Sequence, residues 1–161
     1  MRKKLGRSTN LVRPSDPPAP EGARIFEADF PSDTKSKTHT LEALLDAISR
    51  SGAGGLGTAK LRLALDEALV NAVMHGNKYD AAKSAQVSAH LSSTALTVIV
   101  SDQGAGFKEE DLPDPDAPEN LLEESGRGVI LIRGVMDEIS YWRGGTMLVM
   151  TKRIPKSGAQ T

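Results

Sequence analysis

Cysteine is missing from all 161 residues of the chain. Its absence excludes disulfides, thiolate metal sites and a cysteine nucleophile, and it fits a reducing compartment. No sign of charge dominates either. The formal net charge is -1, so no global field points to nucleic acid or to a membrane surface. No apolar run approaches the roughly 20 residues that a membrane-spanning helix needs. The basic start MRKKLGRSTN is not followed by an apolar signal core, and no internal repeat is present. The Walker phosphate-binding pattern G-x-x-x-x-G-K-[ST] is missing as well, and neither Gly104/Gly106 nor Gly126/Gly128 extends into the dinucleotide pattern G-x-G-x-x-G. These absences predict a cytoplasmic protein with no direct nucleic-acid partner and no membrane. Its length suits one domain that buries a core without staples.

Residues 1–22 are rich in Arg, Lys, Pro and Ser without periodicity, and read as a disordered or extended leader. The basic end of that leader is either a contact for an acidic partner or a solvated tail. Residues 23–154 form the expected domain and 155–161 a tail. RIFEADFP (Arg24 to Pro31) alternates as a half-buried strand. Ser32 or Asp33 then caps a helix to about Arg50, with Leu41, Leu44, Leu45 and Ile48 as its apolar stripe. SGAGGLG (Ser51 to Gly57) breaks that helix, and a second runs from about Thr58 to Asn77. QVSAHL and LTVIVSD follow as a hairpin. Residues 103–126 read as a loop, GVILIRGVM as a short buried helix, and DEISYWR and TMLVMTKR as strands joined tightly at Gly144-Gly145. Strands joined by hairpins imply a mostly antiparallel mixed sheet with helices on one face. The fold class is α+β, a two-layer α/β sandwich.

The second helix carries Glu67, Asn71 and His75 at steps of four. At about 100° per residue they fall near 0°, 40° and 80°, opposite an apolar arc of Leu61, Leu65, Leu69, Ala72 and Val73. The line is either a solvated ridge or the floor of a site. A solvated ridge usually carries Lys, Arg and several Glu. Here a carboxylate can take a proton, and an amide oxygen can hold a hard cation such as magnesium.

Two glycine pairs flank one long loop. The first, SDQGAGF, places Asp102, Gly104 and Gly106 at a strand end. A strand-end Asp can accept from an exocyclic amine such as that of adenine, and glycines let backbone approach a ligand closely. The second, ESGRGVILI, places Gly126, Arg127 and Gly128 at a helix start, where free N–H groups and the positive dipole end favour phosphate. Arg127 adds charge there, unless it is an ordinary surface arginine. The 19 residues of FKEEDLPDPDAPENLLEES include eight acids. A loop of this length reads as a lid, with most of its acids turned to solvent or to a protein partner.

The order E-x-x-x-N on a helix, D-x-G-x-G after a strand, a lid, G-x-G before a helix and G-T in the last hairpin resembles the GHKL ATPase superfamily. The fold of that superfamily is the Bergerat ATP-binding sandwich. The compact form here, with LDEALVNAVMHGN, SDQGAGF and SGRGVILI, is similar to the bacterial anti-sigma-factor serine/threonine kinases over roughly residues 24–153. The resemblance implies Mg2+ and ATP as cofactors. It also implies that Glu67 is the general base, Asn71 the magnesium ligand and Asp102 the reader of adenine. Gly104 and Gly106 match the first glycine box, and Gly126 and Gly128 the second, at the far hinge of the lid. Thr146 matches the residue closing the adenine pocket, and Asn71 to Gly76 the phosphate lining, which makes His75 and Gly76 candidates there.

The activity implied is phosphorylation of a Ser or Thr on a small antagonist protein, alternating with sequestration of a sigma factor or comparable regulator. Dimers through a sheet edge and the first helix are also implied. A hydroxyl is a poor nucleophile and needs a base on its proton, which Glu67 can supply. Two other readings stay open. One is a non-catalytic protein that sequesters a partner in a nucleotide-dependent way, and the other is an ATPase domain serving a separate histidine phosphotransfer protein.

Overall fold

The computed structural model describes residues 12–53, 55–56, 58–111 and 124–155. The basic end of the leader (1–11), the central part of the lid (112–123), Gly54 and Gly57 of the glycine-rich break and the tail from 156 onward lie outside the described residues.

Strand β1 (Ala23–Pro31) pairs with β2 (Ser84–Leu91), β2 with β3 (Ala95–Ser101), β3 with β5 (Met147–Arg153) and β5 with β4 (Glu138–Trp142). The sheet order is β1-β2-β3-β5-β4, and all four pairings are antiparallel. Register fixes the faces, because side chains alternate along each strand. One row across the sheet runs Ala28, Val87, Val100, Leu148, Tyr141, and all but Ala28 are buried. The neighbouring row on the opposite face runs Glu27, Ser88, Ile99, Val149, Ser140, and none of these is buried.

Helix α1 (Thr34–Ile48) packs on β1 and on α2 (Thr58–Val70), and α2 packs on α3 (Glu124–Val135). Leu44, Leu65 and Leu69 are fully buried between these layers, each stabilising the fold by roughly 1.5–3 kcal/mol. The expected stripe of α1 holds, with Leu41, Leu44 and Ile48 buried and Leu45 half-buried. The two-layer α+β sandwich is therefore the observed architecture.

Several boundaries differ from the sequence reading for local reasons. Asp33 is the cap of α1: its Oδ1 accepts from the Ser36 N–H at 2.7 Å and its Oδ2 from the Ser36 hydroxyl at 2.9 Å. Ser32, the other candidate, is buried, and its hydroxyl donates instead to the Lys83 carbonyl at 2.7 Å. Helix α1 ends at Ile48 and passes into a wider turn, Ser49–Ala53, closed by Gly52 at φ 89°. Helix α3 begins at Glu124, so Gly126, Arg127 and Gly128 lie within it rather than ahead of it. The β4–β5 connection is a turn of three left-handed residues, Arg143, Gly144 and Gly145, longer than the tight glycine pair expected.

The leader is in contact with the domain from Val12 on. Val12 bridges Tyr141 in a parallel sense, and the Arg13 N–H donates to the Tyr141 carbonyl at 2.9 Å.

Candidate functional site

The polar line of α2 does not stay on a regular helix. From Asn71 to Gly76 the backbone widens into a π-helical turn, with the Asn77 N–H reaching the Ala72 carbonyl at 2.8 Å. Such widenings recur at functional positions. Glu67 and Asn71 are half-buried and His75 is exposed, so the line runs from the helix layer out to solvent.

At the inner end, α3 comes down on Glu67 and Asn71. A Cβ placed on Gly128 would lie 2.7 Å from Glu67 Oε2 and 3.6 Å from both amide atoms of Asn71. Glycine allows that approach without displacing the Glu67 carboxylate. Gly128 therefore has a packing reason to be glycine, which the sequence reading had assigned to phosphate. Gly126 lies in the first turn of α3, and for Arg127 only the backbone is described.

At the outer end the π-turn meets the loop after β3. A Cβ on Gly76 would sit 2.3 Å from the carboxyl carbon of Asp102, and one on Gly104 would sit 2.2 Å from the Gly76 carbonyl oxygen. The Asp102 carboxyl thus rests directly on the helix end, and its Oδ1 accepts from the Gly104 N–H at 2.8 Å. Burial pushes the Asp102 carboxyl above its usual range, against the opposing pull of the Gly104 N–H and the Lys83 ammonium. A half-desolvated carboxyl is suited to accept from a neutral amine.

The third part is the last hairpin. The Asp102 N–H donates to the Thr146 carbonyl at 2.9 Å, and the Phe107 N–H to the Gly144 carbonyl at 2.9 Å. Gly106, at φ 73°, would carry a Cβ 2.1 Å from the Gly144 oxygen and 3.5 Å from Thr146 Cγ2. The Thr146 hydroxyl donates to the Arg143 carbonyl at 3.0 Å. Phe107 packs its ring against Tyr141, edge to face, with centroids 4.9 Å apart. Asp102, Gly104, Gly106 and Thr146, spread over 45 positions of sequence, therefore form one contiguous wall.

Sequence reasoning missed Asn77. It is fully buried, its Nδ2 donates to Ser32 Oγ at 2.8 Å and to the Ser84 carbonyl at 2.9 Å, and its Oδ1 accepts from the Gln103 N–H at 2.7 Å. This one amide ties the end of the π-turn to the residue after β1, to the first residue of β2 and to the residue after Asp102. An Asn after a glycine at a helix end reads as a terminator, and that pattern hides a side chain directed inward.

Among the described residues no group of three or more His, Cys, Asp or Glu can hold a metal by itself. The Asn71 amide, held beside the Glu67 carboxylate at Gly128, still fits magnesium. That ion takes oxygen ligands and commonly borrows most of them from substrate phosphates and water. No described helix is long and apolar enough to cross a membrane.

The family described as histidine kinase-like ATPase domain matches residues 30–152. The serine-protein kinase RsbW of Listeria innocua serovar 6a is 32% identical over 113 residues, covering 66% of this chain and 72% of the relative. RsbW of Staphylococcus epidermidis is 30% identical over 125 residues, covering 70% and 76%. RsbW of Staphylococcus aureus strain JH9 is 30% identical over 121 residues, again covering 70% and 76%. The match runs from the end of β1 nearly to the end of β5 and takes in both glycine pairs, so the chain, similar to these serine-protein kinases, belongs to the histidine kinase-like ATPase domain family.

Proposed function

We propose that the chain is an ATP-dependent protein serine/threonine kinase that switches between partners. In this reading it phosphorylates a Ser or Thr on a small antagonist protein and, in another state, holds a sigma factor or comparable regulator. The observation that carries the proposal is the continuity of one helical segment between two unlike chemistries. Glu67 and Asn71 stand at one end and the Gly76–Asp102 contact at the other. Nine residues of helical rise, about 13 Å, separate them, a span that suits an extended nucleoside triphosphate. The relatives' name, serine-protein kinase, supports the choice of a hydroxyl acceptor.

In the proposed reaction Asp102 accepts from the exocyclic amine of adenine, and the backbone around Gly104 and Gly106 closes over the base. The first-turn N–H groups of α3 face the phosphates, where His75 and Gly76 are further candidate linings. Asn71 would hold magnesium, which supplies charge neutralisation on the triphosphate when bound. Glu67 accepts the proton of the acceptor hydroxyl as its oxygen attacks the γ-phosphorus. The new O–P bond forms, the bond between the γ-phosphorus and the β,γ-bridging oxygen breaks, and ADP leaves with that oxygen and the electron pair. Positioning and electrostatics contribute most of the rate in such transfers.

The test is incubation with Mg-ATP and candidate antagonists, read as acid-stable phosphoprotein, since phosphoserine survives acid and phosphohistidine does not. Glu67→Gln should keep ATP binding and lower transfer by about 10²–10⁴-fold. Transfer at a normal rate in that variant defeats the base assignment. Tight nucleotide binding with no transfer to any antagonist supports sequestration instead, and acid-labile phosphate a histidine acceptor.

A further inference from the structure

The leader lies before the family-matched residues 30–152, yet it reaches the candidate site. Val12 pairs with Tyr141 of β4 in an isolated parallel bridge, and the chain from Arg13 to Ser15 then passes the end of that strand. Covering an exposed strand edge is a common use of such a segment. The hydrogen bonds here go further than edge cover. The Gly144 N–H donates to the Arg13 carbonyl and the Arg143 N–H to the Ser15 carbonyl, each at 3.0 Å. Both donors belong to the turn between β4 and β5, not to the strand. Asp16 Oδ1 accepts from Arg143 Nε at 2.5 Å, and the Arg13 guanidinium lies 4.9 Å from the ring centre of Trp142.

That turn has three consecutive left-handed residues, one of them a non-glycine, Arg143 at φ 52°. Backbone of this kind persists when its surroundings hold it in place. On its other side the same turn accepts from the Phe107 N–H at Gly144 and from the Thr146 hydroxyl at Arg143, and Thr146 in turn accepts from the Asp102 N–H. An unbroken series of hydrogen bonds therefore joins the leader, the turn and Asp102.

We infer that residues Val12 to Asp16 are a positioning segment for the purine pocket: they clamp the Arg143–Thr146 turn from outside and so set the wall on which Asp102 and Thr146 meet the base. The inference rests on the nucleotide reading given above. It predicts an effect confined to the base and absent from the phosphate end.

The experiment uses the full-length chain and the double variant Arg13→Pro, Asp16→Ala, which removes one backbone donor, the stacked guanidinium and the ion pair. Asp16→Ala alone serves as a milder companion. Trp142 is the sole tryptophan, so its fluorescence reports whether the segment has left the turn. Nucleotide-free melting reports whether the domain stays folded. ATP and GTP affinities are measured by calorimetry. The expected result is a changed Trp142 signal, a cooperative melt, ATP binding weakened about tenfold and GTP binding unaltered, so that ATP/GTP discrimination shrinks. Asp16→Ala should give a smaller change in the same direction. Unaltered discrimination with a changed Trp142 signal overturns the inference, as does an equal loss for both nucleotides. An unchanged Trp142 signal shows that the segment is not docked on the turn and overturns it too. If the unmodified chain binds neither nucleotide, the proposed function itself fails, which is a different result from a variant that binds as well as its parent.

Discussion

The two ends of the α2–π-turn segment are built differently. Around Asp102 the backbone is fixed by hydrogen bonds: Gly104 to the carboxyl, Asp102 to Thr146, Phe107 to Gly144, and Asn77 to Gln103, Ser32 and Ser84. Around Glu67 the arrangement comes from helix packing, with α3 seated on α2 through Gly128. Directional bonds set a position within tenths of an ångström. Packing between helices allows sliding. A fixed base end and a reaction end that can shift suit a protein proposed to switch between partners.

Substitutions can break this comparison at either end. Asn77→Leu should cost the most at the hydrogen-bonded end, about 3 kcal/mol, because it leaves the Gln103 N–H and the Ser84 carbonyl unsatisfied; urea denaturation measures it. Gly128→Ala should act at the other end. Its Cβ would meet Glu67 Oε2 at 2.7 Å, and transfer should fall by about 10²-fold while ATP affinity holds within a factor of about three. Calorimetry beside a phosphotransfer assay separates the two quantities. If ATP binding collapses with transfer, the ends are not independent. Gly76→Ala should do the reverse, moving the Asp102 carboxyl and weakening ATP binding by roughly tenfold or more. A normal affinity there removes Asp102 from the base pocket.

The smallest effect concerns pH. Burial raises the Asp102 pKa above its ordinary 3.8. Its own contribution to the stability of the empty protein is present below 3.8 and is lost as pH rises through the raised value. ATP binding should run the other way, strengthening several-fold as the carboxyl ionises over that interval. Melting with and without ATP, from neutrality down toward 3.8, should show the opposed slopes, and Asp102→Asn should flatten both. Parallel slopes in the two series contradict the assignment.

Much of this was legible in the chain because it depends on periodicity. Alternation in Phe26, Ala28 and Phe30, the stripe Leu41–Leu44–Ile48 and the four-residue spacing of Glu67, Asn71 and His75 are projections of strand and helix geometry. The contacts of the glycine loops were less so. Spacing marks Gly76 and Gly128 as glycines without saying that one lies on Asp102 and the other on Glu67. The π-turn was invisible, since it arises where the helix end meets another loop. The leader was also illegible, because its docking uses main-chain carbonyls of Arg13 and Ser15, and every residue has one. Asn77 was hidden by its position, where a surface terminator and an interior tie look alike.

The strand order carries a consequence for how such a chain can vary. β3 and β5 lie side by side in register from Ala95↔Arg153 to Ser101↔Met147, yet the lid, α3 and β4 all fall between them in the chain. Their pairing is set by residues outside that excursion. Lengthening a loop costs entropy only slowly, about 0.6 kcal/mol per doubling. Insertions between Lys108 and Glu124 should therefore be tolerated by the sheet, leaving this stretch free to diverge toward different binding partners while the scaffold beneath it keeps its alignment.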